Sequence, residues 1–374
     1  MTPSIRISAA IVLLFIVQAQ KMYSQNAVTY ELNNGRLGDH LLAYIKAKWI
    51  SFHYNIPLLY KPFEYSQSLC IHTHEKQFKE KINKKYDIKK IYTTDDMLSN
   101  FSDRNTLFIA NLKFHAPEIS NLLLLHQYIL NNENFFQELK LSIKPVVIET
   151  NTLPETTQNM ITIAVHIRTG GGYAYDRPLV SEQVYPSPGY ITRYTIKPLY
   201  ISRDKSEIQF DNTFFAERKM DDFGFNYSAM TWKETNYLSA DKEHPKRFPP
   251  LQFYIDQINY LHRKFYNMPL FIHIFTDHAN PQELVDSIKQ QVDSDNIRFH
   301  YRNHSNTHDS HVIEDLFMMM PYDCLIRPAS SYSKVAQLLG DHKVIIYPKS
   351  AIWLEEYTLF INEVDVIFKT NSPF

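Results

Sequence analysis

From Met160 to Gly172 the chain reads Met-Ile-Thr-Ile-Ala-Val-His-Ile-Arg-Thr-Gly-Gly-Gly, so that His166 and Arg168 close an apolar alternating run just before a glycine turn. Strand side chains alternate in direction, so Thr162, Ala164, His166 and Arg168 share one face and Ile161, Ile163, Val165 and Ile167 the other. A guanidinium beyond the carboxyl end of a strand offers a permanently charged, forked donor to phosphate oxygens. The plainer reading of Arg168 is a structural ion pair at a strand end.

Three further groups could act with this pair. Gly35-Arg36-Leu37-Gly38 joins an expected strand to an expected helix, where glycines let backbone amides approach a phosphate at the positive helix end. The lysine of a P-loop and the full dinucleotide fingerprint are both missing there. Arg327-Pro-Ala-Ser330-Ser331-Tyr-Ser333 leaves a short strand and opens a helix, a place for hydroxyls and free amides to cradle a diphosphate, or simply for Ser330 or Ser331 to cap the helix. Phe275-Thr-Asp277 ends another apolar run; a carboxylate there can accept two hydrogen bonds from the edge of guanine, or cap the next helix. Metal ligation is not expected. Asp293 and Asp295 precede a strand, on the edge opposite the expected ligand side, and neither Cys70, His72 and His74 nor His304, His308 and His311 makes a convincing ligand set.

The elements that must hold these groups follow from periodicity. Ala27 to Leu32 reads as a strand, and Leu41, Leu42, Ile45, Trp49 and Phe52 mark one face of the helix after it. From Leu270 to Tyr347 apolar runs alternate with helical segments, the pattern of a parallel doubly wound sheet, which the helix from Leu251 to Phe265 should cover. The lysine-dense stretch from Glu75 to Lys90 reads as a solvated helix surface. Residues 173–247 show no sustained period and are read as an irregular insertion on the acceptor side. The resulting division is a leader over 1–25, an α/β domain over 26–150, and a nucleotide-binding domain over 160–374.

The chain has 374 residues and a formal net charge of -1, so no global field favours nucleic acid or a membrane surface. With Cys70 and Cys324 the only cysteines, no disulfide framework is implied. The apolar run Ile7 to Val17 behind Arg6 has the length of a signal peptide or short anchor. It suggests the secretory pathway or export, with membrane attachment only if the segment is retained and a cytoplasmic location if it is no leader.

In order and spacing, Gly35-Arg-Leu-Gly-Asp-His-Leu-Leu-Ala-Tyr44, His166-Ile-Arg168-Thr-Gly170, Phe275-Thr-Asp277 and Asp315-Leu-Phe-Met-Met-Met320 leading to Ser330-Ser331-Tyr-Ser333 form a signature. The chain resembles the GDP-fucose-dependent fucosyltransferases, the superfamily of α1,2-, α1,6- and protein O-fucosyltransferases. That resemblance implies a GT-B-like α/β fold, two Rossmann-like doubly wound domains facing a cleft. It implies an inverting transfer without metal or other cofactor, from GDP-fucose or a close GDP-sugar to a glycan or glycoprotein hydroxyl. Donor contacts would come from Gly35, Arg36, Gly38, His166, Arg168, Asp277, Ser330, Ser331 and Ser333, with Arg168 on the β-phosphate. These enzymes vary at the general base; Asp176, eight residues past Arg168, could accept the acceptor's proton. Thr169 stands where the α1,6 branch has a second arginine, and Asp39 and His40 stand where the α1,2 branch has Asn and Gln. An inactive transferase-like scaffold that binds glycans or a protein partner is the alternative.

Overall fold

The computed structural model describes residues 26–79, 86–101, 105–147, 153, 157–168, 193–199, 216–217, 245–265, 268–278, 280–292, 295–303, 306–307, 309–353 and 359–369. The expected leader and Asp176 lie outside them. Among the described residues no helix is long and apolar enough to cross a membrane. The chain divides into two compact units, one built from the described residues through Tyr128 with Asn132–Val147, the other from Ile129–Asn131 and the described residues after Val147.

The first unit is small. Strands β1 (Ala27–Tyr30), β4 (Asp87–Thr93) and β5 (Thr106–His115) form a parallel sheet in the order β1-β5-β4, and β2 (Leu59–Tyr60) and β3 (Lys76–Gln77) pair separately. Helix α1 (Leu37–Tyr54) buries Leu41, Ile45 and Trp49, while Leu42 and Phe52 from the expected face are only half-buried. The short helices α2 (Ile71–His74) and α3 (Thr94–Ser99), the longer α4 (Leu122–Asn131) as far as Tyr128, and α5 (Glu133–Ile143) complete the unit. The lysine-dense stretch is not one helix: Lys76 lies on β3, and Lys89 and Lys90 lie on β4, an edge strand. Charged side chains suit such an edge because they discourage further strand pairing.

The second unit carries an eight-stranded sheet. Its strands are β6 (Ile161–Ile167), β7 (Arg193–Leu199), β8 (Ala216–Glu217), β9 (Leu270–Thr276), β10 (Ile297–Tyr301), β11 (Cys324–Ile326), β12 (Val344–Trp353) and β13 (Leu359–Lys369), ordered β10-β9-β6-β11-β12-β13-β7-β8. The first five in that order are mutually parallel, as the alternating pattern requires. Their order, counted along the chain, is 3-2-1-4-5, that of a nucleotide-binding doubly wound sheet. Beyond β12 the sheet departs from expectation: β13 runs antiparallel to β12, and β7 and β8, inside the segment read as irregular, extend the same sheet. Tyr194 and Ile196 do alternate with Arg193, Thr195 and Lys197, but one short run acquires meaning only through β13, its partner about 170 residues away.

Helices cover both faces. Ile163, Val165 and Ile167 of β6 share one core with α6 (Leu251–Lys264) and α7 (Pro281–Lys289), through Leu251, Tyr254, Ile255, Ile258, Leu261, Leu284, Val285 and Ile288. Pro250 stands at the N-cap of α6, where a missing backbone N–H costs nothing. Truncating one of these buried isoleucines to alanine should cost roughly 2–5 kcal/mol. The opposite face of β6 meets α9 (Ser331–Leu339), whose Tyr332 ring lies 5.6 Å from the His166 ring. Helix α8 (Val312–Met318) precedes β11 and packs on α9 through the hydrogen bond that Tyr332 Oη donates to the Val312 carbonyl, 2.5 Å long.

Candidate anion site at the strand-order reversal

In the second unit the chain builds outward from β6 through β9 to β10, then returns through α8 to place β11 on the other side of β6. Loops leaving β6 and β11 therefore part in opposite directions, and their carboxyl ends border the crevice where such sheets bind ligands. Register fixes what stands there. Ile326 pairs with Val165, so Arg327 is level with His166, and Ile167 pairs with Thr276, so Arg168 and Asp277 follow at the same level. His166, Arg168, Asp277, Ser330, Ser331 and Ser333 are thus gathered at one edge of one sheet.

His166 is 8 % exposed, and its Nδ1 has no hydrogen-bond partner among the described residues. Burial, then the positive charges of Arg168 and Arg327, pull its pKa down to about 3, so the imidazole is neutral at physiological pH. Arg168, one residue past the strand end, is half-buried with its guanidinium 5.1 Å from the Phe248 ring centroid. Its charge is felt both by His166 and by Tyr254 of α6, so strand alternation governs His166 but no longer confines Arg168 to one face. Tyr254 is buried, its hydroxyl lacks a hydrogen-bond partner among the described residues, and burial followed by the nearby Asp277 charge raises its pKa far above the usual range.

Ser330 occupies the N-cap of α9 with extended backbone but makes no side-chain cap, and the first turn holds no acidic residue. Instead Ser333 Oγ donates to the Ser330 carbonyl at 3.4 Å. Simple capping does not account for these serines. Among the described residues the start of α9 carries no side-chain cap, and an uncapped positive helix end suits an anion.

Gly35, Arg36 and Gly38 belong to the first unit, at the start of α1, and there the electrostatics differ. The Gly35 N–H donates to Asn33 Oδ1 at 3.0 Å, and Arg36 is the N-cap without a side-chain cap. Asp39 lies in the first helical turn, and a Cβ on Gly35 would stand 2.5 Å from Asp39 Oδ2. The glycine is needed for this carboxylate to lie back over the loop. A carboxylate at the helix start makes the turn a poor phosphate cradle, against the expectation from its glycines.

Two residues acquire significance only in the folded chain. Tyr254 lies within the helix from Leu251 to Phe265, of which the sequence implies only that it covers the sheet. Arg327 stood in the loop motif without a role, although an arginine directly after a short apolar strand and before proline was a visible signal. It is 1 % exposed: Nε donates to Gln337 Oε1 at 2.8 Å, Nη1 to the Pro328 carbonyl at 3.0 Å, and the guanidinium stacks 4.3 Å from the Tyr347 ring centroid. Among the described residues no group of three or more His, Cys, Asp or Glu side chains is placed to hold a metal ion.

No profile of a known protein family matches the chain, and no curated protein matches it in sequence. Solved structures do match in shape. A point mutant of Arabidopsis thaliana FUT1 in complex with GDP is 12% identical with a TM-score of 0.44, over 88% of this chain and 73% of that one. The fucosyltransferase NodZ from Bradyrhizobium is 11% identical with a TM-score of 0.36, over 87% and 95%. NodZ α-1,6-fucosyltransferase soaked with GDP-fucose is 12% identical with a TM-score of 0.36, over 90% and 99%.

Proposed function

We propose that the chain is an inverting glycosyltransferase that moves fucose, or a related sugar, from a GDP-sugar to a hydroxyl of a glycan or glycoprotein. The observation that carries this reading is the uncapped start of α9 against a neutral His166, with Arg168 at the end of the same strand, at the strand-order reversal. As the glycosidic bond breaks, charge accumulates on the departing diphosphate, and fixed cationic and amide donors stabilise it without reorganising. In this reading Arg168 meets the β-phosphate, the amides and hydroxyls of Ser330, Ser331 and Ser333 hold the diphosphate, and His166 orients it. Asp277, at the end of the neighbouring strand, accepts from the guanine edge.

Asp176 is assigned the acceptor's proton, and the first unit and the 173–247 segment the acceptor. The loop Gly35, Arg36 and Gly38, with Asp39 against it, suits hydroxyls better than phosphate. The leader would carry the enzyme into the secretory pathway, where its donor must be imported.

A screen of GDP-sugars and UDP-sugars for donor hydrolysis or transfer, with and without EDTA, tests the proposal. Turnover of a GDP-sugar that survives the chelator is the expected result. Turnover restricted to UDP-sugars, or none with any donor while GDP binds, would overturn it, the latter in favour of an inactive scaffold.

A further inference from the structure

Among the described residues Arg327 donates to Gln337 and to the Pro328 carbonyl and stacks on Tyr347, and none of these partners is a carboxylate. Its Nη2 is buried and has no hydrogen-bond partner among the described residues. An unmatched donor on a buried cation is costly, so its retention needs a compensating role. A purely structural clamp between β11 and α9 would need only the Nε bond to Gln337 and the Nη1 bond to Pro328. The charge itself is left over.

Its position says where that charge acts. Register puts Arg327 level with His166 on the adjoining strand, directly across the strand-order reversal. The residues after it, Pro328 to Ser330, lead into the uncapped start of α9. An opposing charge, that of Asp365 on β13, reaches Arg327, and Asp365 pairs across the strands with Tyr347, on whose ring Arg327 stacks. Burial lowers the Arg327 pKa to about 10, with Tyr347 and Asp365 acting the other way, so the guanidinium stays charged at neutral pH. A cation in a low-dielectric interior is screened less than one at the surface.

We propose that Arg327 is a second, buried cation of the anion site, which acts on the ligand through its field and sets the site's preference for a pyrophosphate over a monophosphate. The proposal rests on the reading of the site given above. Arg168 supplies one positive charge at the mouth of the crevice and Arg327 a second beneath it, so a ligand bearing more negative charge gains from both. Arg327 is a positioning and field residue, and its burial keeps it out of direct chemistry.

Gln337→Glu tests this without altering shape. The new carboxylate would sit on Arg327 Nε and neutralise it in place, and the protein should melt at or above the temperature of the unmodified chain. Inorganic pyrophosphate and inorganic phosphate are titrated by calorimetry into the full chain, and the His166 imidazole is titrated by NMR. The expected result is a roughly tenfold or greater loss of pyrophosphate affinity, a smaller loss for phosphate, and a rise in the His166 pKa as the neighbouring positive field weakens. Arg327→Met, which keeps an unbranched apolar stem, should lower pyrophosphate affinity in the same way. A folded Gln337→Glu protein with unchanged pyrophosphate affinity would overturn the inference and leave the site reading intact. Failure of the unmodified chain to bind either anion would overturn both.

Discussion

The starts of α1 and α9 are two versions of one local design, a helix opening just after a parallel strand, and they differ in what sits on the exposed amides. At α1 the carboxylate of Asp39 already lies in the first turn, and Gly35 makes room for it. At α9 the N-cap serine makes no cap, the first turn holds no acid, and one neutral histidine and two arginines stand at the ends of the neighbouring strands. Backbone geometry alone therefore does not make an anion site. The local charge decides, and it points to the second unit.

The largest expected effect separates the units by acid. His166, His273 and His342 all lie in the second unit, and burial first of all holds them at about 3, 3 and 4, against about 6.5 in an unfolded chain. Groups with depressed folded pKa values contribute stability above the unfolded value, which is lost as pH falls from about 6.5 toward 3. Asp315 acts oppositely: burial raises it to about 6, so the folded state gains stability as pH falls from 6 toward 4. The net difference of about two protons corresponds to roughly 3 kcal/mol per pH unit near pH 5. Urea unfolding of the full chain at pH 7.5, 6 and 5 should show this steep decline, and a flat profile would contradict the neutral-histidine core.

Transplanting the difference between the two helix starts gives the next effect. Ser331→Glu places a carboxylate in the first turn of α9, as Asp39 is placed in α1. It should add about 0.3–1 kcal/mol of stability through the helix dipole while weakening GDP binding roughly 10- to 100-fold. Asp39→Asn should leave GDP affinity unchanged. If the two substitutions exchanged these outcomes, the nucleotide would have been placed in the wrong unit. Gly35→Ala is expected to act on stability alone, with a loss of roughly 1–3 kcal/mol from crowding Asp39 and GDP affinity per folded molecule preserved.

Much of the second unit was legible in advance because buried parallel strands and amphipathic helices write short-range patterns, as β6, β9 and α6 do. The turn at Ser330 was also visible, since strand ends and helix starts are marked locally. Long-range pairing was not: β7 takes its meaning from β13, and the lysines of β4 belong to a strand only because β5 lies beside it. Burial of a charge is equally hidden. The letters around Arg327 mark a strand end before a proline but not that the arginine there is 1 % exposed, and the glycine of Gly35 looked like a phosphate contact until Asp39 was seen against it.

The central claim is that the edge of the second unit's sheet binds the diphosphate of a nucleotide sugar through Arg168. The most direct measurement is a GDP titration of the unmodified chain and of Arg168→Ala, with the melting temperature of each recorded on the same samples. The account predicts unchanged melting and an affinity reduced by roughly two orders of magnitude, with Arg168→Lys recovering only part because a point charge cannot reproduce the forked contact. A lowered melting temperature with GDP affinity intact would mean that Arg168 is a structural strand-end arginine and that the nucleotide lies elsewhere.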